Sequence, residues 1–284
     1  MCKFCAEHGA GKRWYLNTKN YVDEMVKNDK EREEFVRNFA ATVEKDGAYR
    51  ILEALTPFKS ESWMDRSREL REWYIYWHQG QPVTIEETKE IMKIASPIAK
   101  VECLCRRVLR AETGGEKYCL LFGMLLDYIR DWPDFTPTGV EPLTVDEAID
   151  EVVRRDREGL VHTVWTFKTP YIAAVCQCAT PVCLALRQAL DFGYMLHKGE
   201  YVGVIDTAKC DGCGECVSRC QFGAIKFDPV IGKAYIDMWK CYGCGVCRAV
   251  CDRGAISMRE RQSIPELKDE WFEPIKVPGS GRWE

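Results

Sequence analysis

The sequence predicts an α+β protein. An N-terminal α/β domain with capped helices and strands that carry Cys-x-Cys pairs precedes a small C-terminal domain with a pseudo-twofold (βαβ)2 layout. Three observations lead there. From Tyr201 the chain repeats itself at a shift of 31 residues, the spacing from Cys210 to Cys241, and the shift also places Gly212 on Gly243, Gly214 on Gly245 and Gly223-Ala224-Ile225 on Gly254-Ala255-Ile256. Four short apolar stretches flank the repeated cysteines and read as strands: Tyr201 to Ile205, Ala224 to Phe227, Ala234 to Ile236 and Ala255 to Met258. Upstream, the strings TIEE from Thr84 and TVDE from Thr144 match the capping box that starts a helix, and each predicted helix leads into an apolar strand.

In chain order, apolar residues at helical spacing predict one long surface helix from Tyr21 to about Val43. A second helix is expected from about Ser62 to Trp77, with Trp63, Trp73, Tyr74, Tyr76 and Trp77 as packing residues. The two capped helices and their strands suggest an internal duplication, the first half leading to Cys103-Leu104-Cys105 and the second to Cys176-Gln177-Cys178. After Arg259 the chain is rich in proline, tryptophan and charge and reads as an extended arm on the body or on a partner. The expected division is a helical segment over 1–80, the α/β domain over 81–200, the repeat domain over 201–260 and the arm over 261–284.

A net charge of -4 with interspersed signs carries no nucleic-acid footprint. No apolar run reaches the roughly 18 residues needed to span a bilayer, and the first residues lack a signal-peptide layout, so the expectation is a cytoplasmic protein without membrane insertion. Without an export signal, sixteen cysteines point to metal ligation by thiolates rather than to disulfides.

The strongest motif is the pair CDGCGECVSRC (Cys210 to Cys220) and CYGCGVCRAVC (Cys241 to Cys251), each a C-x2-C-x2-C-x3-C run. Such a loop can wrap a cubane so that three thiolates reach three irons while backbone N–H groups point at the sulfides. Gly212, Gly214, Gly243 and Gly245 let the backbone come close enough. On these residues the segment resembles the two-cluster bacterial-type ferredoxins, at the C-terminus of what looks like a larger ferredoxin-like iron-sulfur protein of anaerobes. In that family the fourth cysteine of each run ligates the other cluster. The resemblance therefore implies two [4Fe-4S] clusters, one held by Cys210, Cys213, Cys216 and Cys251 and the other by Cys241, Cys244, Cys247 and Cys220. A low reduction potential is expected. The proline usual after the fourth cysteine is replaced by Gln221 and by Asp252, which changes a turn without removing a ligand. Basic and acidic side chains nearly balance over Tyr201 to Glu260, which favours a domain held against a fixed partner.

Eight cysteines lie outside the repeat: Cys2, Cys5, Cys103, Cys105, Cys119, Cys176, Cys178 and Cys183. They offer a third site, an iron-sulfur cluster or zinc, with His8 completing Cys2-x2-Cys5-x2-His8; equally, they read as buried apolar thiols on ordinary strands. His78, His162 and His197 read as packed or solvent-facing residues, and the string HGAGK from His8 lacks the spacing of a Walker loop. No catalytic triad, flavin fingerprint or carboxylate pair emerges, and the catalytic residues, if any, are unknown from sequence.

The expected function is an iron-sulfur subunit or accessory protein that passes low-potential single electrons to or from a larger redox enzyme or complex, with Phe222, Tyr242 and Trp239 beside the clusters at the contact. Two alternatives stand beside it: a reductase whose N-terminal domain binds a third metal centre and is catalytic, and a redox activation or maturation factor for a metalloenzyme.

Overall fold

The computed structural model describes residues 3–42, 61–110, 115–130, 136–180 and 182–274. Helix α1 (Lys3–His8) is followed by two 3-10 turns, Trp14–Leu16 and Thr18–Tyr21, and then by α2 (Glu24–Lys27) and α3 (Lys30–Thr42). The long helix expected from Tyr21 is thus broken. Asn28 closes α2, and the Asp29 carboxylate accepts the Arg32 amide at 3.0 Å, so the Asn-Asp pair ends one helix and caps the next. Val43 lies outside the described residues. Helix α4 (Glu61–Trp77) matches the expected second helix. Its Tyr74 is buried and stacks on Tyr194, while Tyr76 is exposed and the Trp63 side chain lies outside the described part.

The chain continues through β1 (Gly80–Pro82), α5 (Ile85–Ile94), β2 (Ile98–Glu102), α6 (Leu104–Arg110), β3 (Lys117–Phe122) and α7 (Leu125–Arg130). Then come β4 (Glu141–Leu143), α8 (Val145–Glu158), β5 (Val161–Thr166), β6 (Ile172–Cys178) and α9 (Leu184–Phe192). Both capping boxes form: Thr84 and Thr144 accept the amides of Glu87 and Glu147, whose carboxylates reach back to the threonine amides. Helix α8 ends at Gly159, in the left-handed region at φ 91°.

The strands form one six-stranded sheet in the order β1-β5-β6-β3-β2-β4, antiparallel throughout. Exchanging β1, β2 and β3 for β4, β5 and β6 leaves this order unchanged when read from the other edge. Each half therefore lends an edge strand to the other, and the alternation of helix and strand does not give a parallel sheet. The expectation of two strand-borne Cys-x-Cys pairs holds only for Cys176 and Cys178 on β6. The pairing of β2 with β3 slips between Val101 and Glu102, and the chain turns into α6 so that Leu104 enters the core, which leaves Cys103 in the turn and Cys105 on a helix.

Side chains alternate across the sheet as a two-residue period requires. On one face Leu120, Phe122, Val164 and Val175 pack under α5, α8 and the N-terminal residues Phe4, Trp14 and Tyr15. On the other, Val101, Leu121 and Ala174 meet Val36, Leu104, Leu125 and Ile129. The first forty residues thus share both cores with the sheet.

The last unit comprises β7 (Tyr201–Ile205), α10 (Glu215–Arg219), β8 (Ile225–Asp228), β9 (Lys233–Ile236), a 3-10 turn Val246–Val250 and β10 (Ile256–Glu260). Strand β7 pairs with β10 and β8 with β9, so each half of the repeat pairs only with the other half. The arm beyond β10 packs on the body as far as it is described: Ile264 and Leu267 cover Val202, and Phe272 meets the His197 ring.

Arg13 ties the units together. Its guanidinium reaches Glu87 at 3.1 Å, Glu200 at 3.2 Å and Glu260 at 3.1 Å and lies over the Tyr201 ring, while the Tyr15 hydroxyl donates to Glu87 at 2.6 Å. Glu87 and Glu200 are buried, so removing the cation leaves two carboxylates stranded. Arg13→Met is expected to lower stability by about 3 kcal/mol, read as a drop in the denaturation midpoint. Lys93→Met, at the exposed pair with Glu90, should stay within about 0.5 kcal/mol of the parent.

His78 and His197 are buried and stacked at 3.9 Å between the first core and the arm. Burial lowers the His78 pKa to about 3, and burial followed by the neighbouring His78 holds His197 well below its ordinary value. Between about pH 6.5 and 3 the unfolded chain binds a proton at His78 that the folded chain refuses, so stability falls as pH falls through that window. From pH 7 to 5 the loss from His78 should be about 2 kcal/mol, and His78→Gln should flatten the pH dependence of urea unfolding by that amount.

Candidate metal centres

The two cysteine loops are shaped by glycines that nothing else could replace. Gly212 and Gly243 sit at φ 80° and 77°, and a Cβ on either would lie 2.1 Å from a carbonyl oxygen, that of Gly232 or of Tyr201. Gly214 and Gly245, at φ 79° and 78°, start the short helical turns that carry the third cysteine of each run and are closed by the fourth.

The loops sort eight thiols into two groups. Cys210, Cys213, Cys216 and Cys251 line a cavity of about 280 Å³ with Ile205, Ala234 and Ile256 at its apolar wall. Cys220, Cys241, Cys244 and Cys247 line a second one, walled by Phe222, Ile225, Ile236 and Met258. In each, the fourth cysteine comes from the other run. Amides point at sulfur in matched positions: Ala224 N–H donates to Cys220 at 3.3 Å and Ala255 N–H to Cys251 at 3.3 Å, with Gly203 N–H donating to Cys241 at 3.4 Å. Thiols set around a cavity rather than around a point suit a polynuclear group whose corners are separate irons.

The two sites differ in surroundings. Cys213 is exposed, beside an ion pair of Asp211 with Arg253, so the first site faces outwards. The second is inside. Burial pushes the Cys244 thiol well up and the Cys247 thiol to about 12, and burial also raises Cys241. Three thiols so desolvated become thiolates only beside a cationic centre, which is the environment an iron-sulfur cluster provides. The guanidinium of Arg261, fully buried, donates to the Gly199 carbonyl at 2.9 Å and the Cys241 carbonyl at 2.7 Å and fixes the start of this loop.

The inner site is inside because the repeat docks on the N-terminal unit, and sequence reasoning missed the residue that docks it. Gln221 stands where the family has proline. Its side-chain carbonyl accepts from the Thr180 amide at 3.1 Å and hydroxyl at 2.7 Å, and its amide donates to the Gly159 carbonyl at 3.1 Å. Asp252, the matching residue of the other half, is exposed. Arg248 adds a 2.6 Å ion pair to Glu86 on α5. Phe222 and Tyr242 stack at 4.1 Å and are buried against Cys183 and Leu186, so they line a contact within the chain and not one with a partner; Trp239 is half exposed.

Of the eight remaining cysteines, Cys103, Cys105, Cys119, Cys176, Cys178 and Cys183 line one cavity of about 540 Å³ in the N-terminal unit. Cys5 lies elsewhere: it is buried among Phe4 and Trp14 and its thiol approaches Glu200 at 3.5 Å. Cys2 lies outside the described residues. His8 pairs with Glu7, and His162 is buried on β5.

The family model of the 4Fe-4S dicluster domain matches residues 209–265, which span both loops and the first turn of the arm. No curated protein matches the chain. The chain therefore carries a ferredoxin-type iron-sulfur domain near its C-terminus, and this domain supports an electron-transfer role. Among the described residues no helix is long and apolar enough to cross a membrane.

Replacing Gln221 with the proline of the family should cost the three docking hydrogen bonds, about 1 kcal/mol each. Gln221→Pro is expected to speed amide exchange around Gly159 and Thr180, whereas Asp252→Pro, at the solvent-facing equivalent, should leave exchange there unchanged.

Proposed function

We propose that this protein is an iron-sulfur electron-transfer component that passes low-potential single electrons to or from a larger redox enzyme or complex. Its outer [4Fe-4S] cluster would be held by Cys210, Cys213, Cys216 and Cys251 and its inner one by Cys241, Cys244, Cys247 and Cys220. The observation that carries this is the sorting of eight thiols into two groups of four, each completed by the fourth cysteine of the opposite run. A bound cluster of this type takes up and gives back one electron with little rearrangement; the protein supplies position, burial and a docking surface.

The partner docks at the outer site. The hairpin of β8 and β9 lies against the Gly212 loop and exposes Phe227, Val230, Ile231 and Tyr235, with Val230 91% accessible. Apolar side chains grouped beside an exposed ligand make a surface for another protein. The inner site, lined by Phe222 and Tyr242, is more deeply buried, with Cys244 and Cys247 both buried.

Paired substitutions test the assignment. In anaerobically prepared protein, Cys213→Ser and Cys251→Ser should disturb the same cluster and leave the same residual paramagnetic spectrum after reduction. Cys244→Ser and Cys220→Ser should leave the complementary one. Each variant is expected to lose up to about four irons. A residual spectrum shared by Cys220→Ser and Cys213→Ser would falsify the crosswise ligand sets.

A further inference from the structure

The cavity in the N-terminal unit is walled by six thiols that come from separate parts of the fold. Cys103 and Cys105 flank the start of α6, Cys119 sits on β3, Cys176 and Cys178 on β6, and Cys183 precedes α9. Their sulfurs form a closed ring of neighbours. Cys176 donates a hydrogen bond to Cys119 with the sulfurs 3.7 Å apart, and each of the six thiols interacts electrostatically with its neighbours in the order Cys105, Cys103, Cys119, Cys176, Cys178, Cys183 and back to Cys105. None of the six is in a disulfide.

Buried cysteine is often no more than a small apolar filler. A filler closes space, however, and interiors leave few voids larger than a water molecule. Here the six sulfurs face one another around about 540 Å³, nearly twice the cavity that the four thiols of the outer ferredoxin site surround. A structural zinc would draw four thiolates around one point and close the space between them. Six donors around a cavity of this size match a polynuclear centre. Phe35, Phe39, Trp73 and Phe167 complete an apolar wall around it.

We infer that this six-cysteine cavity is the seat of a third iron-sulfur centre, held by thiolates drawn from Cys103, Cys105, Cys119, Cys176, Cys178 and Cys183. Its place in the chain gives it a role. Cys178 and Cys183 belong to the same packed cluster as Phe222, Tyr242, Cys220 and Cys244, so the ring borders the inner ferredoxin site. Taken by packing contacts, the order is outer site, inner site, six-thiol site. The inference rests on the proposed function only for the source of electrons, a protein redox partner. One electron lost at the inner site is one electron gained at the third, and no bond is made or broken.

The test compares the full-length chain with the double variant Cys103→Ala/Cys178→Ala, both prepared anaerobically, for iron, sulfide and zinc per chain. The parent should carry about twelve irons or more, and the variant about eight, with the spectra of the two ferredoxin clusters retained as the sign that it has folded. Equal iron in parent and variant overturns the inference, as does zinc in place of the additional iron, or disulfides among the six cysteines found by mass spectrometry. Failure of the ferredoxin reading is distinguishable, because it lowers the iron of parent and variant equally and leaves their difference intact.

Discussion

The crosswise closure of the cysteine repeat is the constraint on which the C-terminal unit depends. Cys220 completes the group begun by Cys241, and Cys251 completes the group begun by Cys210, so neither half can hold four thiols alone. The strand pairing obeys the same rule: β7 reaches across to β10 and β8 to β9. A unit of this size has too little core to be secure by burial alone, and a metal group that bridges both halves contributes folding free energy directly. The short strands and tight glycine turns serve to hold sulfur positions, and the apolar residues Ile205, Ile225, Ala234 and Ile256 fill what space remains.

Symmetry within the repeat is then broken by docking. One fourth-cysteine neighbour, Gln221, is a hydrogen-bonding residue turned towards Thr180 and Gly159; the other, Asp252, stays in solvent. As a result, two sites of the same design occupy different dielectrics. Burial and hydrogen bonds to sulfur are the levers by which a protein sets the potential of such a centre, and this chain applies them unequally to its two halves. Arg13 and Arg261 hold the arrangement from the opposite side, one by gathering carboxylates from three elements and the other by binding carbonyls of the junction and the inner loop.

What could be read from sequence was local. The cysteine runs, their glycines and both capping boxes each depend on residues within a few positions of one another, and all appear where expected. The break at Asn28-Asp29 was equally local, since both are cap formers, but helical periodicity on either side outweighed it. The turn of Cys103 and Cys105 into α6 was not legible, because it follows from a slip in the pairing of β2 with β3, and pairing partners are not written in either strand alone. The same holds for Gln221. A glutamine after a cluster ligand reads as the loss of a proline until the carbonyl of Gly159, about sixty residues away, is found beside it.

All six thiols of the ring were among the eight candidates for a third site, but which of the eight meet was not legible, and the sheet explains why. The first half, β1 to β3, supplies Cys103, Cys105 and Cys119; the second half and the loop after it supply Cys176, Cys178 and Cys183. The halves meet at the central pair β3 and β6, where Cys119 stands directly opposite Cys176. Three thiols from one half thus face three from the other across the seam of a duplicated sheet, just as the C-terminal loops complete each other's sites across theirs. Both units of this chain are built in the same manner: each half contributes a part of the thiols, and the sulfurs gather where the halves join.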